Sequence, residues 1–108
     1  MATFHARLVP FARERITISS SALPLTASVY DDHSASVLAD RRHALAARIT
    51  VYTNSIYWTE EGTTPSASAG DTGAAGDIIY LETYEAIKKF KAIRVTGDAP
   101  IEVVYYRM

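Results

Sequence analysis

Asp71-Thr72-Gly73-Ala74 is the one string in this chain whose residue types could do chemistry. An aspartate in such a setting cleaves peptide bonds when a second carboxylate, one from each of two subunits, lies against it and shares its proton. That arrangement needs the aspartate held rigid and dry at the end of a buried apolar strand. The residues before Asp71 are Ser66-Ala67-Ser68-Ala69-Gly70, which read as a loop, and too few residues follow to build the rest of such a site. Asp71 therefore reads as a turn former.

Other chemistry finds less support. Asp71 with Asp77, or Asp31 and Asp32 with His33, would have to hold a hard cation through several oxygens at short alternating spacing, and neither cluster has that spacing. His5, His33 and His43 lack the spacing of a zinc site. There is no Gly-x-Ser-x-Gly elbow, no phosphate loop and no Cys. The expectation is no catalytic residue, no metal and no cofactor. Trp58 reads as core rather than as a sugar platform. Tyr52, Tyr57, Tyr105 and Tyr106 are candidates for an aromatic patch facing a glycan or a protein.

The elements that position these residues read as strands. Ile16–Ser19 alternates, and Leu23-Pro24-Leu25 is excluded from the middle of a sheet because Pro lacks a donor. Ser28–Tyr30 reads as a short edge strand, Asp31–Ser34 as a turn, and residues 35–48 as a loop or short helix giving way to a strand near Ala46. Ile49–Thr59 reads as a hairpin turning at Asn54-Ser55, since Asn tolerates positive φ. In that register Ile49, Val51, Ile56 and Trp58 share the core face, and Tyr52 pairs with Tyr57 on the other. Glu60–Ala75 reads as a long loop and Asp77–Leu81 as a strand. Tyr84–Phe90 is read as a turn leading into the next strand, Ala92–Thr96, and Ile101–Arg107 closes the chain.

The 108 residues make one domain, with residues 1–15 as an extended arm. The expected class is all-β: an antiparallel sandwich, immunoglobulin-like or jelly-roll-like, of six to eight short strands. Hydrophobic residues are 48% and charged residues 21%, a globular composition. Without Cys, so short a chain folds in a reducing compartment or gains stability by oligomerising. Met1–Pro10 carries no long apolar run, and no stretch approaches the roughly 18 apolar residues of a membrane span.

Net charge is −1, which gives no reason to expect nucleic acid, but the distribution is uneven. Ile49–Ala86 holds no Lys or Arg and six acids: Glu60, Glu61, Asp71, Asp77, Glu82 and Glu85. The flanking segments are basic. Either neighbouring strands neutralise one another, or the two charged regions complement each other between copies.

Ile56-Tyr57-Trp58-Thr59-Glu60-Glu61-Gly62-Thr63-Thr64-Pro65 resembles a turn signature of immunoglobulin-like modules appended to carbohydrate-active enzymes, with Glu61 where those modules usually carry Asp. A wider pattern resembles a group of small virion proteins of tailed bacteriophages. It comprises Ala47–Val51, the Gly-Thr-Thr-Pro turn, Gly70, Ala75-Gly76-Asp77, Ile87 with Phe90, Ala92-Ile93 and Val103–Arg107, in that order, over roughly residues 44–107. This second resemblance implies a non-enzymatic virion protein, made in the host cytoplasm, that decorates or cements the capsid or sits at the head–tail junction or fibre base. The implied partners are copies of itself and other virion proteins, such as the major capsid or head–tail proteins. Tyr52, Tyr57, Glu60, Glu61, Thr64 and Asp71 are the expected contact residues. The alternative is a carbohydrate- or receptor-binding module. The remote alternative follows from Asp71-Thr72-Gly73, which resembles the motif of retroviral-type aspartic proteases.

Overall fold

The computed structural model describes residues 8–31 and 43–107. Among these described residues, eight strands and two short helices follow one another as β1 (Val9–Ile18), β2 (Leu23–Pro24), α1 (Ala27–Tyr30), β3 (Ala46–Val51), β4 (Ile56–Thr59), β5 (Asp71–Gly73), β6 (Ile78–Leu81), α2 (Tyr84–Lys89), β7 (Lys91–Arg94) and β8 (Ala99–Arg107). They form two antiparallel four-stranded sheets, in the orders β1-β8-β3-β6 and β2-β7-β4-β5. Pairing is nested: β1 with β8, β2 with β7, β3 with β6 and β4 with β5. That is the wrapped double ribbon of a jelly roll, the second of the two expected sandwich types.

Period-two alternation sets the layers. One inner row of the first sheet reads Ile79, Ile49, Val103, Glu14 and the next Leu81, Ala47, Tyr105, Ala12. The apolar members of these rows, except Ala12, are buried. The second sheet contributes Ile56 and Ala92, and Phe90 fills the space beside them, 6.0 Å from the stacked Trp58 ring.

Three expectations about elements are corrected. Ile49–Thr59 is not a hairpin: β3 and β4 belong to different sheets, and residues 52–55 carry the chain from one to the other. Asn54 does not take positive φ; its side-chain amide donates to the Asp98 carbonyl at 2.8 Å and ties this crossing to the turn before β8. Ile49, Val51, Ile56 and Trp58 do all face the core, but from opposite sides. Secondly, Ser28–Tyr30 and Tyr84–Lys89 are helical. Thr83 caps α2 by accepting from the Ala86 amide, and Glu85 pairs with Lys88 and Lys89 one turn on. Thirdly, the arm expected over residues 1–15 is strand from Val9 onward, laddered to β8 as far as Ala99. Residues 1–7, and most of the turn and loop expected over residues 31–48, lie outside the described residues.

Glu60–Ala75 is also more structured than expected, since Asp71–Gly73 within it is β5. The preceding segment folds back on β4: Pro65 is fully buried, and the Thr59 hydroxyl donates to the Thr63 carbonyl. Gly70 has φ +118°, and a Cβ there would lie 2.8 Å from the Trp58 carbonyl oxygen. Gly70→Ala is therefore expected to cost about 2 kcal/mol in urea denaturation, combining left-handed strain with displacement of the loop.

Candidate functional site

The residues singled out from sequence do not form one patch. Tyr52 is exposed on the outer face of the first sheet, where the Arg15 guanidinium stacks 4.8 Å from its ring centroid. Tyr57 is half-buried on the outer face of the second sheet, opposite Thr72 and Ile93. The expected Tyr52–Tyr57 pair does not exist, because the hairpin that would bring it together does not. Glu60, Glu61 and Thr64 are exposed in the segment between β4 and β5. Asp71 is exposed on β5, at the free edge of the second sheet and opposite Trp58.

What the fold does bring together is a charged and partly apolar outer face on the first sheet. Two cross-strand rows span it: Tyr80, Arg48, Val104, Arg13 and Ile78, Thr50, Glu102, Arg15. Three of the four large hydrophobic residues exposed among the described residues, Tyr52, Ile78 and Tyr80, lie on this face. Ile78 is 51% exposed. Sequence reasoning passed over Ile78 and Tyr80, although their alternation with buried Ile79 and Leu81 was a readable signal.

Charge is divided between the two sides of the sandwich. At the β1 side, Arg13 and Arg15 both bond Glu102, at 3.3 and 3.1 Å, and remain about 60% exposed. At the β5–β6 side stand Glu60, Glu61, Asp71, Asp77 and Glu82. Among the described residues none of these five carboxylates has an ion-pair partner. Asp77 accepts from the Ala74 amide and Glu61 from the Thr63 hydroxyl. Among the described residues, neutralisation, the simpler of the two charge readings, is thus found for Glu102 and, within α2, for Glu85, but not for the five acids of the β5–β6 side.

Between β5 and β6 the sandwich opens into a groove of about 390 Å³, lined by Trp58, Thr72, Gly73, Asp77, Tyr80 and Glu82 among others. Its floor is Gly73 and Ile79. Among the described residues no three His, Cys, Asp or Glu side chains converge to hold a metal ion.

A second polar cluster occupies the α1–α2 end. The Tyr105 hydroxyl donates to the Glu14 carboxylate, which also accepts from the Thr26 amide at 3.2 Å. The Tyr30 ring packs between Tyr105 and Tyr84, and His43 stacks on Tyr84 at 4.0 Å. The Tyr84 hydroxyl donates to Asp31 at 2.9 Å. Burial, then the hydrogen bond to Asp31, pushes Tyr84 up to about 12. Burial also raises Tyr30, helped by Asp31, and Tyr105, helped by the bond to Glu14. A tyrosine raised on folding stabilises the fold while pH is below its ordinary value of 10.0, and that contribution is lost as pH climbs through the folded value. Stability is therefore expected to hold to about pH 10 and to fall steadily beyond it. Tyrosinate absorbance of Tyr30, Tyr84 and Tyr105 should appear with unfolding, and Tyr84→Phe should flatten the alkaline decline.

Compared with protein-family models, with curated proteins and with solved structures, the chain finds no significant match.

Proposed function

We propose that this chain is a non-enzymatic structural component of a tailed-phage particle, a capsid decoration or cement protein or a head–tail or tail accessory, that acts by assembling with copies of itself and with other virion proteins. The observation that carries the reading is the placement of its exposed charged and apolar groups. Five carboxylates without an ion-pair partner among the described residues stand at the β5–β6 side, with the exposed Ile78, and the Arg13 and Arg15 guanidinium groups stand at the opposite, β1 edge of the same outer face. Surfaces of this kind are matched by partners rather than by substrates.

Two further points support it. The ordered pattern over residues 44–107 resembles small phage virion proteins, and the jelly roll is an architecture shared by viral capsid and lectin domains. The second point is a fold-level analogy. The mechanism is mechanical: buried contacts hold the particle together while no covalent bond changes.

The test is density-gradient purification of particles from cells that encode the chain, with detection by an antibody. Co-migration with particles at a fixed copy ratio is the expected result. A chain that stays wholly in the soluble fraction overturns the reading. Tyr52→Ala and Tyr57→Ala should be tested separately, since the two residues sit on different sheets.

The groove favours one second reading, a carbohydrate- or receptor-binding module. Trp58 and Tyr80 offer ring surface there, and Asp77, Glu82 and Thr72 offer hydrogen-bond acceptors for hydroxyl groups. Binding on a glycan array by a chain that runs as a monomer on sizing would favour it over assembly.

A further inference from the structure

We infer that the β6 edge of one copy receives the β1 edge of a second copy, so that the first sheet continues from subunit to subunit in a head-to-tail assembly. This deepens the assembly reading above and rests on it.

Strand direction is the first argument. The first sheet runs β1-β8-β3-β6 with every neighbouring pair antiparallel. Its two edge strands therefore point in opposite directions. A second copy placed by a simple rotation about a common axis sets its β1 antiparallel to β6, and the alternation of directions continues unbroken. A like-with-like contact through β6 alone joins two four-residue strands and leaves both β1 strands unused. The head-to-tail contact uses both edges of every copy, which is the condition for a closed ring.

Charge is the second argument. β6 is flanked by Asp77 and Glu82, and Asp71 stands on the facing β5 edge. The β1 edge offers Arg13 and Arg15, two cations sharing the one Glu102 carboxylate. Both arginines project from the outer face, as Ile78 does. In the continued sheet the second copy's Arg13 and Arg15 extend the rows that end at Tyr80 and Ile78. Arg13 of the second copy then comes beside Tyr80 and the exposed Glu82, and its Arg15 beside Ile78. β6 carries neither Lys nor Pro, and its guard is only its four-residue length; on β1, Pro10 and the register shift between Pro10 and Ala12 confine the contact to the stretch from Ala12 onward, which holds Arg13 and Arg15. The groove beside it gives the incoming strand's inward side chains a place against Ile79 and Gly73.

The experiment uses the full chain and sedimentation velocity across a concentration series. One variant reverses the acidic side, Asp71→Arg with Glu82→Arg; neither side chain makes a hydrogen bond or ion pair within the described fold. The other reverses the basic edge, Arg13→Glu with Arg15→Glu. Circular dichroism melts establish that each variant folds. Wild type is expected to self-associate, more weakly as salt rises. Each variant alone is expected to dissociate at least about tenfold more readily, and an equimolar mixture to regain association, because each supplies the edge that the other now complements. Association of either variant at the wild-type level overturns the inference, and so does a mixture that stays monomeric. A wild type that is monomeric throughout, or monomeric while binding a glycan, overturns it too. The particle-incorporation test separates the two conclusions: a monomer that still enters particles defeats the strand contact but not the virion reading. If a reversed variant fails to fold, Ile78→Asp replaces it, with the same loss of association expected and wild-type association overturning the inference.

Discussion

Phe90→Ala is expected to lower the unfolding free energy by about 3–5 kcal/mol, the largest effect of any single substitution considered. Phe90 is fully buried and stands where α2 gives way to β7, so its ring fills the interior at the point where the chain passes from one sheet to the other. It stacks on Trp58, 6.0 Å between centroids and 27° between planes. Trp58, and Ile87 of the same buried cluster, are held too firmly to fill the void. Trp58 is held by the β5 and β7 ladders at Asp71 and Ala92, and Ile87 is anchored on the capped helix. A domain of this size holds only about 5–15 kcal/mol of stability, so the loss is a large fraction of the total. Urea denaturation followed by fluorescence reads the change directly, because Trp58 is the only Trp in the chain. The midpoint should fall with an unchanged slope. A loss below about 1 kcal/mol would mean that the ring is not enclosed as described.

Tyr105→Phe is expected to cost about 1–3 kcal/mol, although it removes a single oxygen. Glu14 occupies an inner-face position of β1, opposite Val103, and its carboxylate is satisfied by the Tyr105 hydroxyl and the Thr26 amide. Removing the hydroxyl leaves a partly buried charge with one donor. Glu14→Ala should cost a similar amount for the opposite reason, since it strands the hydroxyl of a residue with no solvent exposure. The double variant should cost clearly less than the sum, by about 1 kcal/mol or more, because once both partners are gone nothing polar is left unmatched. Additive losses would show that the two groups act independently. The pair also explains how a carboxylate is tolerated on the inner face of a sheet: it ties β1 to β8 and to the segment leading into α1.

Exposure is the thread between these core predictions and the assembly reading. The interior is closed by Phe90, Tyr105 and the aliphatic rows, so the groups left over lie outside. Ile78 alternates with Ile79, and the alternation that buries one obliges the other to face outward. An isoleucine half in water on an edge strand gains from its β-branched shape, but leaves apolar area in solvent. A neighbouring strand that covers that area adds the stabilisation of burying it.

Sequence alone determined the class and most strand positions. Alternation along Ile101–Arg107, Asp77–Leu81 and Ala46–Val51 is local, and a period of two marks a half-buried strand whatever it pairs with. The uneven charge was equally legible, being a matter of residue order. Helix α2 was not, because a single capped turn and a half between strands carries too short a pattern to separate from a turn. Pairing was not legible either. Ile49, Val51, Ile56 and Trp58 point to the core whether β3 and β4 fold back on each other or cross to opposite sheets, so the same alternation serves both arrangements. Only the tertiary structure chose the crossing. β3 is matched on both sides by the longer β8 and by β6, and Asn54 bonds the Asp98 carbonyl instead of making a tight turn. That choice separated Tyr52 from Tyr57, joined Ile78 and Tyr80 to the Arg13–Arg15 face, and put acid and base on opposite edges of one sheet. Those are relations between residues far apart in the chain, and they exist only once the ribbon has wrapped.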